Sequence, residues 1–319
     1  MKKGLLSCIF ALSLQAPVFA ADFMDIYQHA LDNDPVFKAA YDNYMISSEA
    51  IPQARAALLP QVTLNGTVGK NYQKVVAGGF GALGNFQSQY WAVTASQAIF
   101  NYQAWAQVAQ AKASVKAAQA TFNDAAQDLM LRSAKAYFDV LLAKDTLEFA
   151  EAKKRANKRQ LEQATQRFEV GLDAITSVYE AKAAYDQSIA TVISAKNNQL
   201  NQNENLRKVT NHYYDKLAPL HNSKIPLTKP EPNNVSQWID TGIKQNYKLF
   251  AAKYSLQVAK ENLRGLSTAA WPVFSLQANT SQNQNDVNET SVFITEQQVQ
   301  SNLALAVNFP VFQGGLVES

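Results

Sequence analysis

Apolar positions along this chain follow two different periods. Val62, Leu64 and Val68 alternate with Thr63, Asn65 and Thr67, which predicts a strand with one apolar face. Trp91, Val93 and Ala95 alternate in the same way with Tyr90, Thr94 and Ser96. Phe274, Leu276 and Ala278 alternate with Ser275, Gln277 and Asn279, and Leu303, Leu305, Val307 and Phe309 form a fourth apolar set. Each strand is expected to run about ten residues, the length a tilted strand needs to cross a bilayer. A soluble β-sandwich gives the same alternation, so the strands alone do not place the protein.

Between the strand pairs the period is seven. Val108, Val115, Phe122, Leu129 and Ala136 recur at that spacing, and Val178, Tyr185, Val192 and Leu206 share one seven-residue track farther on. Neither glycine nor proline interrupts 102–169 or 173–217. Two long antiparallel helices with coiled-coil seams are expected, the first roughly 100 Å long at about 1.5 Å per residue, the second over 175–211. Alanine fills much of the remainder, which allows close axes. A shorter helical stretch is expected over 36–59, ended by Pro60.

The pattern also repeats. At an offset of about 212 positions, Ala39-Ala40 returns as Ala251-Ala252, Glu49 as Glu261, and Ala57, Pro60 and Leu64 as Ala269, Pro272 and Leu276. Ala92 returns as Ala304 and Ile99-Phe100 as Val311-Phe312. A constant offset across helix, strands and loop marks a duplicated unit. The expected organisation is a signal peptide over 1–20 and a first repeat over 21–220, holding a helix, two strands and the long hairpin. A proline-rich linker over 221–234 then leads to a second repeat over 235–319, read as cut short after its helix and strands.

Composition narrows the function. Met1-Lys2-Lys3, a short apolar run and Ala20 form an export signal too short to span a bilayer. Cleavage after Ala20 removes Cys8, the single cysteine, and with it any thiolate site. It also takes two lysines from 29 bases while the 26 acids stay, so the mature chain is close to neutral and nucleic acid is not an expected partner. No apolar run is long enough for a membrane helix, which leaves a β-barrel open.

Candidate chemistry is sparse. Gly79, Gly81 and Gly84 fit Gly-x-Gly-x-x-Gly, but a strand follows where a dinucleotide site needs a helix, so the motif reads as a hairpin loop. The matching polar segment of the second repeat, 283–300, reads as an exposed loop. His29, His212 and His221 share no ligand spacing, and no nucleophile has a plausible base. No enzyme, metal or cofactor is expected. Lys153, Lys154, Arg155, Lys158 and Arg159 cluster on the long helix, as a solvated face or as a partner contact. At the turn between the long helices, Gly171 supplies a left-handed stop and Asp173 or its neighbour caps the next helix. Val170 and Leu172 flank that glycine, either packing the turn or forming a docking surface.

With these residues the chain resembles the TolC family of outer-membrane efflux and secretion channels. The likeness includes Leu58-Leu59-Pro60-Gln61, Ala136-Tyr137-Phe138, Gln166-Arg167-Phe168 with Val170-Gly171-Leu172, Tyr213-Tyr214, and Pro310 with Gln313-Gly314-Gly315. The resemblance implies a mainly α protein with transmembrane β: a long antiparallel coiled-coil hairpin, plus strand pairs given to a trimeric outer-membrane β-barrel. It implies a homotrimer in outer-membrane lipid with its helical part in the periplasm. Such a protein is a passive exit duct for efflux or type I secretion, docked to a periplasmic adaptor and an inner-membrane transporter. In the family the tip meets the adaptor, which falls here on Val170, Gly171 and Leu172. Tunnel-entrance gating falls on Gln160, Thr176 and Ser177, where serine replaces the family's acid and removes a charged link. The alternative from pattern alone is a periplasmic adaptor or scaffold with a helical hairpin.

Overall fold

The computed structural model describes residues 20–74, 83–220, 228–289 and 292–312. Most of the expected signal peptide, Gly79 and Gly81, His221 and Gln313-Gly314-Gly315 lie outside the described residues. The described elements are α1 (Phe23–Asn33), α2 (Pro35–Ser48), α3 (Ala50–Ala56), β1 (Gln61–Lys74), β2 (Leu83–Phe100), α4 (Tyr102–Glu169), α5 (Ile175–Thr210), α6 (Val235–Gln245), α7 (Tyr247–Ser267), β3 (Val273–Glu289) and β4 (Val292–Asn308). They pack as two units, Met1–Ala39 with Ala125–Asn233 and Ala40–Asp124 with Asn234–Ser319.

In the first unit, the second half of α4 and α5 form the helical hairpin. Ala143 and Ala150 on α4 and Ala181, Ser188 and Ala195 on α5 are buried at seven-residue intervals. Small residues at a seam let the axes approach closely, so packing replaces bulk. The buried hydroxyl of Ser188 donates to the Tyr185 carbonyl, and that of Ser133 to the Leu129 carbonyl, so neither is orphaned. Helix α1 starts from a capping box: Asp22 accepts from the Asp25 amide at 2.9 Å and Asp25 returns the bond at 3.1 Å. Its apolar stripe packs Ile26 against Ala136, Tyr137, Val140 and Leu206, and Ala30 against Leu129 and Val209.

The stretch expected as one helix over 36–59 is two helices, α2 and α3, with α1 ahead of them. Asp34 carries ψ 119 before Pro35, because proline excludes the α conformation from the residue it follows. Asn246 similarly divides α6 from α7, with its side chain accepting from the Leu249 amide.

In the second unit, four described strands form one antiparallel sheet in the order β1-β2-β3-β4. Val62 lies opposite Ala95, Ala95 opposite Ala278, and Ala278 opposite Leu303. Directly opposed residues share a face, so the four apolar sets of the sequence merge into a single surface. Val62, Leu64, Val68, Leu303, Leu305 and Val307 are all exposed on this chain. The strands run 14 to 18 residues, well beyond the expected ten. Asn283 pairs with Gln298 and Gln284 with Gln297, so the polar segment read as a loop is ladder instead. Backbone pairing, not side-chain apolarity, carries a hairpin arm through polar sequence.

Candidate functional site

The hairpin tip is built by its backbone. The Leu172 amide donates to the Arg167 carbonyl at 2.8 Å and the Gly171 amide to the Phe168 carbonyl at 2.9 Å. Those two bonds form a Schellman motif, which needs a left-handed residue after the helix. Gly171 provides it at φ 76. The turn consumes the last carbonyls of α4 and leaves the two flanking side chains largely in solvent. Val170 is 69 % and Leu172 71 % exposed, with Phe168 and Ile175 beside them also exposed.

Charged groups stiffen the same turn. Arg167 Nε lies 3.4 Å from Asp173 Oδ2 across the tip. Asp173 Oδ1 accepts from the Ala174 amide and from the Ser177 hydroxyl, each at 3.1 Å. The N-cap position of α5 is Ala174, and no side chain caps it, so the cap expected from Asp173 or its neighbour is not formed. The Arg167–Asp173 pair was legible only as two charges six apart; nothing in the sequence announced that they meet.

Gln160 and Ser177 line one groove between α4 and α5 just behind the tip, together with Gln163, Arg167, Asp173 and Glu180. Thr176 is exposed and lies outside that lining. The Ser177 hydroxyl donates to Asp173 within its own hairpin.

The basic cluster is partly internally paired: Arg155 lies 3.8 Å from Glu151 and Lys158 3.8 Å from Glu162. His29 and His212, unrelated in spacing, stack edge to face with ring centres 5.6 Å apart, and Tyr214 joins them through a 2.7 Å bond to His29 Nδ1. Among the described residues no group of three or more His, Cys, Asp or Glu is arranged to hold a metal ion. Nor is any described helix long and apolar enough to cross a membrane.

Residues 26–212 match the sequence model of the outer membrane efflux protein family. The outer membrane protein TolC of Vibrio cholerae serotype O1 is 31 % identical over 312 residues, covering 95 % of this chain and 68 % of that protein. The alkaline protease secretion protein AprF of Pseudomonas aeruginosa is 26 % identical over 313 residues, covering 96 % of this chain and 64 % of its own length. The chain thus spans about two thirds of the length of these curated relatives. Among solved structures, CusC, described by its transmembrane channel formation, superposes with a TM-score of 0.76 at 16 % identity, over 93 % of this chain and 67 % of that one. At that identity the likeness is one of fold.

Proposed function

We propose a function from the premise that the chain belongs to the outer membrane efflux protein family and is an outer-membrane protein: it contributes the wall of a passive exit duct for efflux or type I secretion. The single observation that carries this reading is the one-sided sheet. Its apolar row from Val62 through Ala95 and Ala278 to Leu303, exposed at both ends, suits hydrocarbon, while β1 and β4 leave their outer backbone groups unpaired among the described strands. In a bilayer each unpaired group is costly, so a sheet of this kind must close on other copies. A homotrimer would close it with four strands from each copy.

The hairpin then extends into the periplasm and presents Val170 and Leu172 to a periplasmic adaptor, which couples the duct to an inner-membrane transporter. The rigid Schellman turn supports this assignment, because a docking knob is useful only when its backbone is held. Gln160 and Ser177 sit in the groove where hairpins would meet at the entrance, and there gate it by polar contacts. Thr176, on the outer surface of α5, would act toward a neighbouring hairpin.

The test is complementation. The full-length coding sequence, expressed in a Gram-negative strain lacking its own channel, should restore resistance to detergents and dyes and yield a heat-dissociable trimer in outer-membrane fractions. A monomer that stays soluble after export would sink the reading.

A further inference from the structure

Within the second unit, α7 runs antiparallel to the start of α4. Gly265 faces Ala106, Tyr254 faces Lys116, and Lys248 reaches Asp124 at 3.9 Å. Between the two helices lies a groove floored by Ala120, whose small side chain is 5 % exposed. One wall is aromatic: Tyr247, Phe250 and Tyr254, spaced three and four along one face of α7. The other is polar: Lys116, Gln119 and Asn123, spaced three and four along α4.

We propose that this groove binds an anionic amino-sugar polymer, the chemical class of the peptidoglycan beneath an outer membrane. A pyranose ring has an apolar C–H face and a rim of hydroxyls. Half-buried tyrosine rings offer flat apolar surface with a polar edge, and the two amides across the groove offer donors and acceptors for such a rim. A purely apolar peptide would leave Gln119 and Asn123 unpaired, and a lone phosphate would leave three rings unused.

Charge sets the sign of the ligand. The Lys116 ammonium sits 5.7 Å over the Tyr254 ring, and that of Lys253 5.7 Å over Phe250. Neither makes an ion pair among the described residues, whereas Asp124, the acid at the groove's end, is taken by Lys248. The local balance favours carboxylates, which muramic acid and stem peptides carry along the glycan.

Position agrees with chemistry. One residue separates β2 from α4, so Lys116 lies 14 residues along the helix, roughly 21 Å beyond the sheet's end at 1.5 Å per residue. That places the groove in the compartment under the membrane. The proposal rests on the outer-membrane location alone; a protein that fails to export anything would still bind.

The test is co-sedimentation of the full-length, detergent-solubilised protein with purified peptidoglycan sacculi. The unmodified protein should pellet with sacculi and be released by soluble muropeptides. A Tyr247→Ala/Tyr254→Ala double variant should bind about tenfold more weakly, since each stacked ring contributes on the order of half the required discrimination. Lys116→Gln should bind roughly threefold more weakly and lose much of its salt dependence, a difference that disappears on sacculi whose carboxylates have been amidated. Gln119→Ala/Asn123→Ala, which removes only the polar wall of the groove, should also weaken binding. Helix content by circular dichroism checks each variant. The proposal is overturned if the unmodified protein stays in the supernatant, or if folded variants bind as it does. Displacement by lipopolysaccharide micelles but not by muropeptides would overturn it too, because the saccharide would then be the lipid's.

Discussion

Arg132 grips Asp34 across 98 residues of sequence, donating Nη1 to Oδ2 at 2.9 Å and Nη2 to Oδ1 at 3.2 Å. Asp34 ends α1, is 1 % exposed, and also accepts from the Phe37 amide at 2.7 Å to start α2. One carboxylate therefore ties the break between two helices to the side of α4. Burial pushes that carboxyl up, but the Arg132 hydrogen bonds, the Phe37 and Val36 amides and the Arg132 charge together hold it below 3.8.

Arg132→Ala should destabilise the fold by about 3 kcal/mol, because a buried carboxylate is left with amide partners only. A carboxyl depressed in the folded state stabilises above its unfolded pKa, and that contribution fades as pH falls through the folded value. Acid unfolding followed by circular dichroism should therefore have a component below pH 3.8 that Asp34→Asn lacks. Identical acid midpoints for the two proteins would refute the tie.

Leu129 and Leu131 lie two positions apart on α4, but the first is 0 % and the second 71 % exposed. Leu129→Ala opens a cavity against Ala30 and Val209 and should cost about 2–5 kcal/mol. Leu131→Ala should stay within about 0.5 kcal/mol in the dissociated chain. Thermal denaturation of both variants below the association concentration decides it, and equal losses would mean the seam is misassigned.

How much of this was legible depends on whether the signal is local. The absence of glycine and proline over 102–169 gave α4 to within a residue, and heptad spacing foretold Leu129 and Ala136 as buried. The alternation in Val62, Leu64 and Val68 foretold the sheet's face. The length of β3 and β4 was hidden, because Asn283 and Gln298 are held by each other's backbone and polar side chains do not report that. The break at Asp34 could have been read from Pro35, and α1 from Asp22 and Asp25. Contacts such as Arg132 with Asp34, or His29 with His212, join residues far apart in sequence and leave no periodic trace. At the tip, Gly171 and its apolar neighbours stood out, whereas the Asp173–Ser177 bond depends on an α5 start that the sequence leaves ambiguous.

Val170→Asp and Leu172→Asp test docking without a folding confound. Both side chains are exposed and touch little, so stability should change by less than about 0.5 kcal/mol. Adaptor cross-linking at the tip and detergent resistance should both fall at least about tenfold, as when a charge enters an apolar contact. Retained cross-linking with unchanged resistance would remove the tip from the docking surface.

Gly171→Ala should behave differently. Nothing lies within 4 Å of a Cβ built there, so no clash arises, but φ 76 strains any L side chain. The cost should be about 1 kcal/mol, less for Gly171→Asn, which tolerates the left-handed region. Hydrogen exchange should localise the loss to the last turn of α4. Uniform loosening along α5 would show instead that the turn governs the whole hairpin.

Gly265, near the end of α7, invites the opposite sign. A Cβ there would sit 3.6 Å from the Ala106 Cβ on α4, an ordinary van der Waals distance, and its φ is not in the left-handed range. Glycine within a helix loses more backbone entropy on folding than alanine does, so Gly265→Ala should stabilise by about 0.5–1 kcal/mol. Gly265→Leu extends past the contact and should destabilise by about 1–3 kcal/mol through overpacking. Thermal unfolding of the two variants side by side measures how closely α7 lies on α4. If alanine destabilised as much as leucine, the helices would be nearer than 3.6 Å allows, and the groove that begins about three turns farther along would be correspondingly narrower.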